Sequence, residues 1–127
     1  MKDTSFIEIQ KVKQGIIKIK SQIIWKPNKA QSHLCKRIKL GHLPQDSSLE
    51  NYENVIKEIL FNIESKVYVF KDSFILYPSL TGIIKDRLWL VMFDVNGIME
   101  TAFPPNNPQK YLQNNPFTYL GTLKELM

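Results

Sequence analysis

The run Arg87-Leu88-Trp89-Leu90-Val91-Met92-Phe93, then Asp94-Val95-Asn96-Gly97, then Ile98-Met99-Glu100-Thr101-Ala102-Phe103, leaves this chain few folds to choose from. Seven residues that are nearly all apolar read as a central strand of a sheet. Asn96-Gly97 favours positive φ at both positions, the strongest turn signal in the chain, so Ile98–Phe103 is expected to return antiparallel. Pro104-Pro105 ends that strand, because proline has no N–H for the ladder. A central strand requires neighbours beside it and elements to cover it.

The covering elements are sought upstream. Ser47 or Ser48 caps a helix expected to run from about Ser48 to Glu64, and Ser47 with Glu50 has capping-box spacing. Its Leu49, Tyr52, Ile56, Ile59 and Ile63 fall at three- and four-residue intervals and form one apolar face. Lys66–Phe70 and Ser73–Tyr77 read as strands about a tight turn at Lys71-Asp72. Near the N-terminus, Phe6–Gln10 (or to Val12) and Gly15–Lys20 read as strands, since Ile17 and Ile19 alternate with Lys18 and Lys20. Lys29–Leu40 is expected to be a short helix with a weak apolar stripe. A short helix near Pro108–Gln113 and a strand at Tyr119-Leu120 complete the chain. The expectation is a single α+β domain over residues 1–127: an antiparallel sheet, one main helix packed on it, and N-terminal strands or a short helix preceding.

At 127 residues such a domain buries roughly two-thirds of its unfolded surface. Charge is distributed unevenly. Between Ile9 and Gln45 lie nine Lys/Arg, both histidines (His33 and His42), the single cysteine Cys35, and no Asp or Glu. Elsewhere eight Lys/Arg face twelve Asp/Glu, so the net +5 divides into +9 and −4. A cationic surface attracts phosphate backbones, and an acidic protein would meet it equally well. No apolar segment is long enough to span a membrane, so no membrane partner is expected. Met1-Lys2-Asp3-Thr4-Ser5 does not lead into the apolar run of a signal peptide. With one cysteine and hence no internal disulfide, cytoplasmic residence is expected. Specialised export, or a place at the end of a longer polypeptide, would leave no mark.

Chemistry is narrowed by what is missing. His33, Cys35 and His42 are the whole His/Cys supply, their spacing matches no zinc motif, and the neighbouring cations oppose a dication, so no metal or other cofactor is expected. Five scattered glycines form no phosphate loop. Cys35 reads as a small buried residue, since on a helix it and His33 point to different faces. Metal-free RNA cleavage stays open, because RNA supplies its own nucleophile, the 2′-hydroxyl. The protein must add a proton-transfer group, commonly histidine, and cations for the phosphorane. In His33-Leu34-Cys35-Lys36-Arg37, a helix would set His33 and Arg37 on one face with Lys36 beside them. The same residues also read as a solubilising helix surface. His42, in Lys39-Leu40-Gly41-His42-Leu43-Pro44, reads as a second catalytic group, a substrate contact or a loop residue bonded to backbone.

The order of a histidine in a basic stretch, a capped helix, Val67-Tyr68-Val69 and the hairpin ending Thr101-Ala102-Phe103 resembles a superfamily of small ribonuclease toxins. That superfamily joins barnase, EndoU, the tRNA-cleaving colicins and RelE-type toxins, with phage-associated and contact-dependent branches the most similar. The resemblance covers roughly Ser32 to Phe103. It implies a metal-independent endoribonuclease acting on structured RNA such as tRNA, with an acidic antitoxin or immunity protein as partner. It makes His33, or alternatively His42, the catalytic histidine, and Thr101 a hydroxyl donor to the scissile phosphate. Lys36 and Arg37 become phosphate-binding cations, with Lys39 in the same basic stretch. Where many members carry a second basic or histidine group on the later strands, this chain offers only Lys85 and Arg87. A degenerate site would leave a non-catalytic basic module that binds RNA or an acidic protein.

Aromatic residues give two kinds of expectation. Tyr68, Phe70, Phe74, Tyr77, Trp89 and Phe93 alternate with aliphatics and read first as core. Trp25, between polar neighbours in the basic window, is the better candidate for stacking on a base.

Overall fold

The computed structural model describes residues 5–127, so the reading of Met1–Thr4 lies outside the described residues. The class is α+β. A six-stranded sheet runs in the order β1-β5-β4-β3-β2-β6, formed by Ile24–Trp25, Lys66–Asp72, Ile75–Ile84, Arg87–Phe93, Ile98–Phe103 and Phe117–Thr122 in chain order. All pairings are antiparallel except β1 with β5, where Ile24 and Trp25 lie parallel to Ile98 and Met99. The sheet is therefore mixed, which corrects the expectation of a purely antiparallel one.

The N-terminal segment is a helix, α1 (Phe6–Ser21), where two strands were expected. Val12, Ile16 and Ile19 recur at helical spacing and are buried, while Ile17, which completed the apparent alternation, is exposed. Ser5 and Glu8 form a capping box: the Ser5 hydroxyl accepts from the Glu8 N–H at 3.1 Å, and the Glu8 carboxylate accepts from the Ser5 N–H at 3.0 Å. Two glycines admit this helix to the β4–β5 turn. A Cβ on Gly15 would stand 3.1 Å from the Val95 Cα, and one on Gly97 would stand 2.8 Å from the Lys18 Cβ.

Helix α2 (Lys29–Lys39) and helix α3 (Leu49–Leu60) follow. Ser48 caps α3 in a reciprocal pair with Asn51, so the Ser47–Glu50 pairing does not form, and the helix ends four residues before Glu64. Its Tyr52, Ile56, Ile59 and Leu60 meet Val12, Ile16 and Ile19 of α1 over Val67, Val69, Leu80, Trp89, Val91 and Phe93 of the sheet. Two helices thus share the core face. Strand β3 is longer than expected and passes through Pro78, which lies where β2 but not yet β4 is beside it. The β2–β3 turn falls at Ser73-Phe74 rather than Lys71-Asp72. A short helix, α4 (Pro108–Asn114), precedes β6, and a last turn of helix, α5 (Leu123–Leu126), closes the chain. No helix among the described residues is long and apolar enough to cross a membrane.

Candidate functional site

The end of α2 determines the site. Gly41 adopts φ +76°, its N–H donates to the Ile38 carbonyl at 3.0 Å, and the His42 N–H donates to the Arg37 carbonyl at 2.8 Å. These are the two bonds of a Schellman motif, in which the residue after the left-handed glycine folds back over the last turn. His42 therefore sits against Arg37, and both line a cavity of about 290 Å³ with Lys36, Phe103 and Pro104.

Arg37 is the unusual member. It is 4% exposed, its guanidinium lies 5.5 Å from the centre of the Phe103 ring, and Nε and Nη1 have no hydrogen-bond partner among the described residues. Two enclosed, unpaired donors on a charged group are costly, on the order of 1–3 kcal/mol or more. Burial pushes the guanidinium below its ordinary pKa, and no carboxylate beside it reverses that shift. With Nε and Nη1 enclosed, Nη2 is the guanidinium nitrogen left to meet an anion in the cavity, and among the described residues no carboxylate competes for it there.

His42 also lines a second cavity, about 220 Å³, with Pro44, Val55, Ile84, Arg87 and Trp89. Its ring meets Trp89 edge-on at 6.4 Å, and its Nδ1 is enclosed and unpartnered, which leaves Nε2 as the nitrogen open to a ligand. Burial, and then the charges of Arg37 and Arg87, hold its pKa below the usual histidine value, which favours the neutral ring. Arg87 is thus brought to the histidine from a distant strand.

The other sequence candidates lie elsewhere. His33 is half-buried at 5.5 Å from the Trp25 ring, its pKa lowered by burial and by Arg37 and raised by Glu100. Trp25 itself packs on Tyr52 at 5.6 Å and donates Nε1–H to Glu53 at 2.9 Å, so it forms part of an internal aromatic cluster. Tyr52 completes that cluster by donating to the Ala102 carbonyl at 2.6 Å, and burial pushes its phenol far above the usual range. Thr101 pairs with Met92, on the sheet face opposite Ala102, and lines neither cavity; nor does Lys39. Cys35 is exposed, which corrects its reading as a buried residue. Trp89 and Phe93 are core as expected, whereas Phe74 is fully exposed at the β2–β3 turn. Among the described residues, no three His, Cys, Asp or Glu side chains gather as a metal site. The sequence signal for the site was Gly41, the glycine that ends α2 and so determines where His42 goes.

Compared with models of known protein families, with curated protein sequences and with solved structures, the chain matches none.

Proposed function

We propose that the protein is a metal-independent endoribonuclease that holds an RNA phosphate at Arg37 and uses His42 as its base. The observation that carries this reading is the buried guanidinium of Arg37, without a partner among the described residues, in a cavity it shares with His42. Nε2 of His42 accepts the 2′-hydroxyl proton as that oxygen attacks phosphorus. The bond to the 5′-oxygen breaks, a 2′,3′-cyclic phosphate forms, and the departing oxygen takes a proton from water. Arg37 and Lys36 bear the charge that builds on the non-bridging oxygens. Structured RNA such as tRNA as the substrate, and a carboxylate-rich antitoxin or immunity protein as the partner, are the parts of this proposal that rest on the sequence resemblance.

One observation favours a second reading, RNA binding without cleavage. Nδ1 of His42 has no acceptor to fix the tautomer, and the Arg37 cavity holds no second histidine or carboxylate. Incubating the protein with total tRNA in excess EDTA separates the two. Fragments with cyclic phosphate ends, lost in His42→Ala, support cleavage. Intact RNA that is nevertheless retained, and released by Arg37→Leu, supports the binding module. Intact and unretained RNA overturns both.

A further inference from the structure

We infer that the second cavity, which shares His42 with the Arg37 cavity, is a nucleobase subsite of the same ligand, an inference that rests on the phosphate reading above. His42 lines both cavities, so a ligand seated against Arg37 and a group held in the second cavity would meet at the same ring. Their volumes, about 290 and 220 Å³, each fall below the roughly 300–1,000 Å³ of a self-contained small-molecule pocket. Each compartment sets two cations beside apolar side chains, Lys36 and Arg37 in one and Lys85 and Arg87 in the other, and two adjoining compartments fit the alternation of phosphate and base along one strand.

The lining is what a base requires. Val55 from α3 and Ile84 from β3 are half-buried apolar walls, Pro44 is a rigid exposed edge, and Trp89 closes the floor. Lys85 and Asp86 have φ of +49° and +66°, the geometry of a two-residue hairpin turn that places Ile84 opposite Arg87. The turn therefore sets an apolar side chain and a planar guanidinium together at the cavity mouth. Arg87 can stack on a heterocycle there, and Arg stacking tolerates any base. A base bound against Val55 and Ile84 would place its ribose at His42, between the two compartments.

The test is a titration of the ¹⁵N-labelled protein with inorganic phosphate, uridine 3′-monophosphate and N-acetyl-leucine amide, followed by backbone and indole resonances. The expected result is nucleotide binding at least about ten-fold tighter than phosphate, with shifts at Val55, Ile84 and the Trp89 indole that phosphate alone does not produce. Val55→Trp, which fills the cavity, should bring nucleotide affinity down to that of phosphate and leave phosphate affinity unchanged. The wild-type comparison stands even if that variant fails to fold. Phosphate held at Arg37 with no gain from the nucleoside overturns the base subsite alone, whereas no phosphate binding overturns it together with the proposed function. Leucine amide shifting these residues while the nucleotide does not would make the cavity a peptide-docking site and overturn the inference.

Discussion

The His42 N–H donates to the Arg37 carbonyl at 2.8 Å, so the two side chains of the candidate site are neighbours through the backbone of one helix end. In a Schellman motif these two positions commonly hold a pair of touching apolar residues. Here they hold an arginine and a histidine, and a helix terminus that usually closes a hydrophobic contact opens instead onto two cavities. The stabilising device and the candidate chemistry therefore share a single requirement, the left-handed backbone at Gly41.

That requirement yields the first prediction. A Cβ on Gly41 would touch nothing within 4 Å, so a substitution there acts through backbone conformation alone. Gly41→Val should lower stability by about 1–2 kcal/mol in urea unfolding, the usual penalty for an L-residue in the left-handed region. Gly41→Asn should lose less, because asparagine tolerates that region. RNA binding should fall in the same order, since His42 moves with the turn.

Arg37 is predicted to trade stability for binding. Arg37→Leu removes a buried charge with two unpaired donors and leaves an apolar side chain against Phe103. Removing enclosed, unpartnered donors relieves a desolvation cost on the order of 1–3 kcal/mol or more. The expected outcome is an unfolding midpoint at or above wild type together with loss of phosphate binding by calorimetry. A marked destabilisation would show that the guanidinium is structural.

Much of the fold was legible because some residues satisfy only one period. The β4–β5 hairpin follows from a seven-residue apolar run and Asn96-Gly97, and α3 from spacings that no strand could bury. Helix α1 was not legible over six residues, since Ile17 and Ile19 fit a strand while Ile16 and Ile19 fit a helix. Only extension back to Val12, with the Ser5–Glu8 capping box, separates the two. Strand β1 has two residues and exists because β5 offers an edge, which no local pattern encodes. At the site, Lys36, Arg37 and His42 were visible as residue types, and their positions in space were not. An arginine buried to 4% contradicts the ordinary preference of the side chain for water. The approach of Arg87 to His42 requires a β-turn and a helix end to coincide across 45 residues of chain.

The histidine pKa shifts predict a pH dependence with a definite sign. His42 and His33 are both lowered, chiefly by burial, so the folded protein binds fewer protons than the unfolded chain below about pH 6.5. Their contribution to stability should be intact above that pH and be lost as pH falls through the folded values. Proton NMR of the imidazoles should place both midpoints below 6.5. Added phosphate should raise that of His42, because a nearby anion favours the charged ring.

The two histidines should separate by function and stability. His33 stacks near Trp25 at 5.5 Å and lines neither cavity, so His33→Ala should cost about 0.5–1.5 kcal/mol, the usual worth of an aromatic pair, and leave cleavage near wild type. His42→Ala should do the reverse: cleavage should fall by about 10²–10⁴-fold, the usual contribution of a general base, with RNA binding retained through Arg37 and Lys36. Single-turnover assays on tRNA, run beside thermal melts, read both quantities. Cleavage lost in a folded His33→Ala and kept in His42→Ala would move the catalytic role to the Trp25 side of α2, where Glu100 could orient the imidazole.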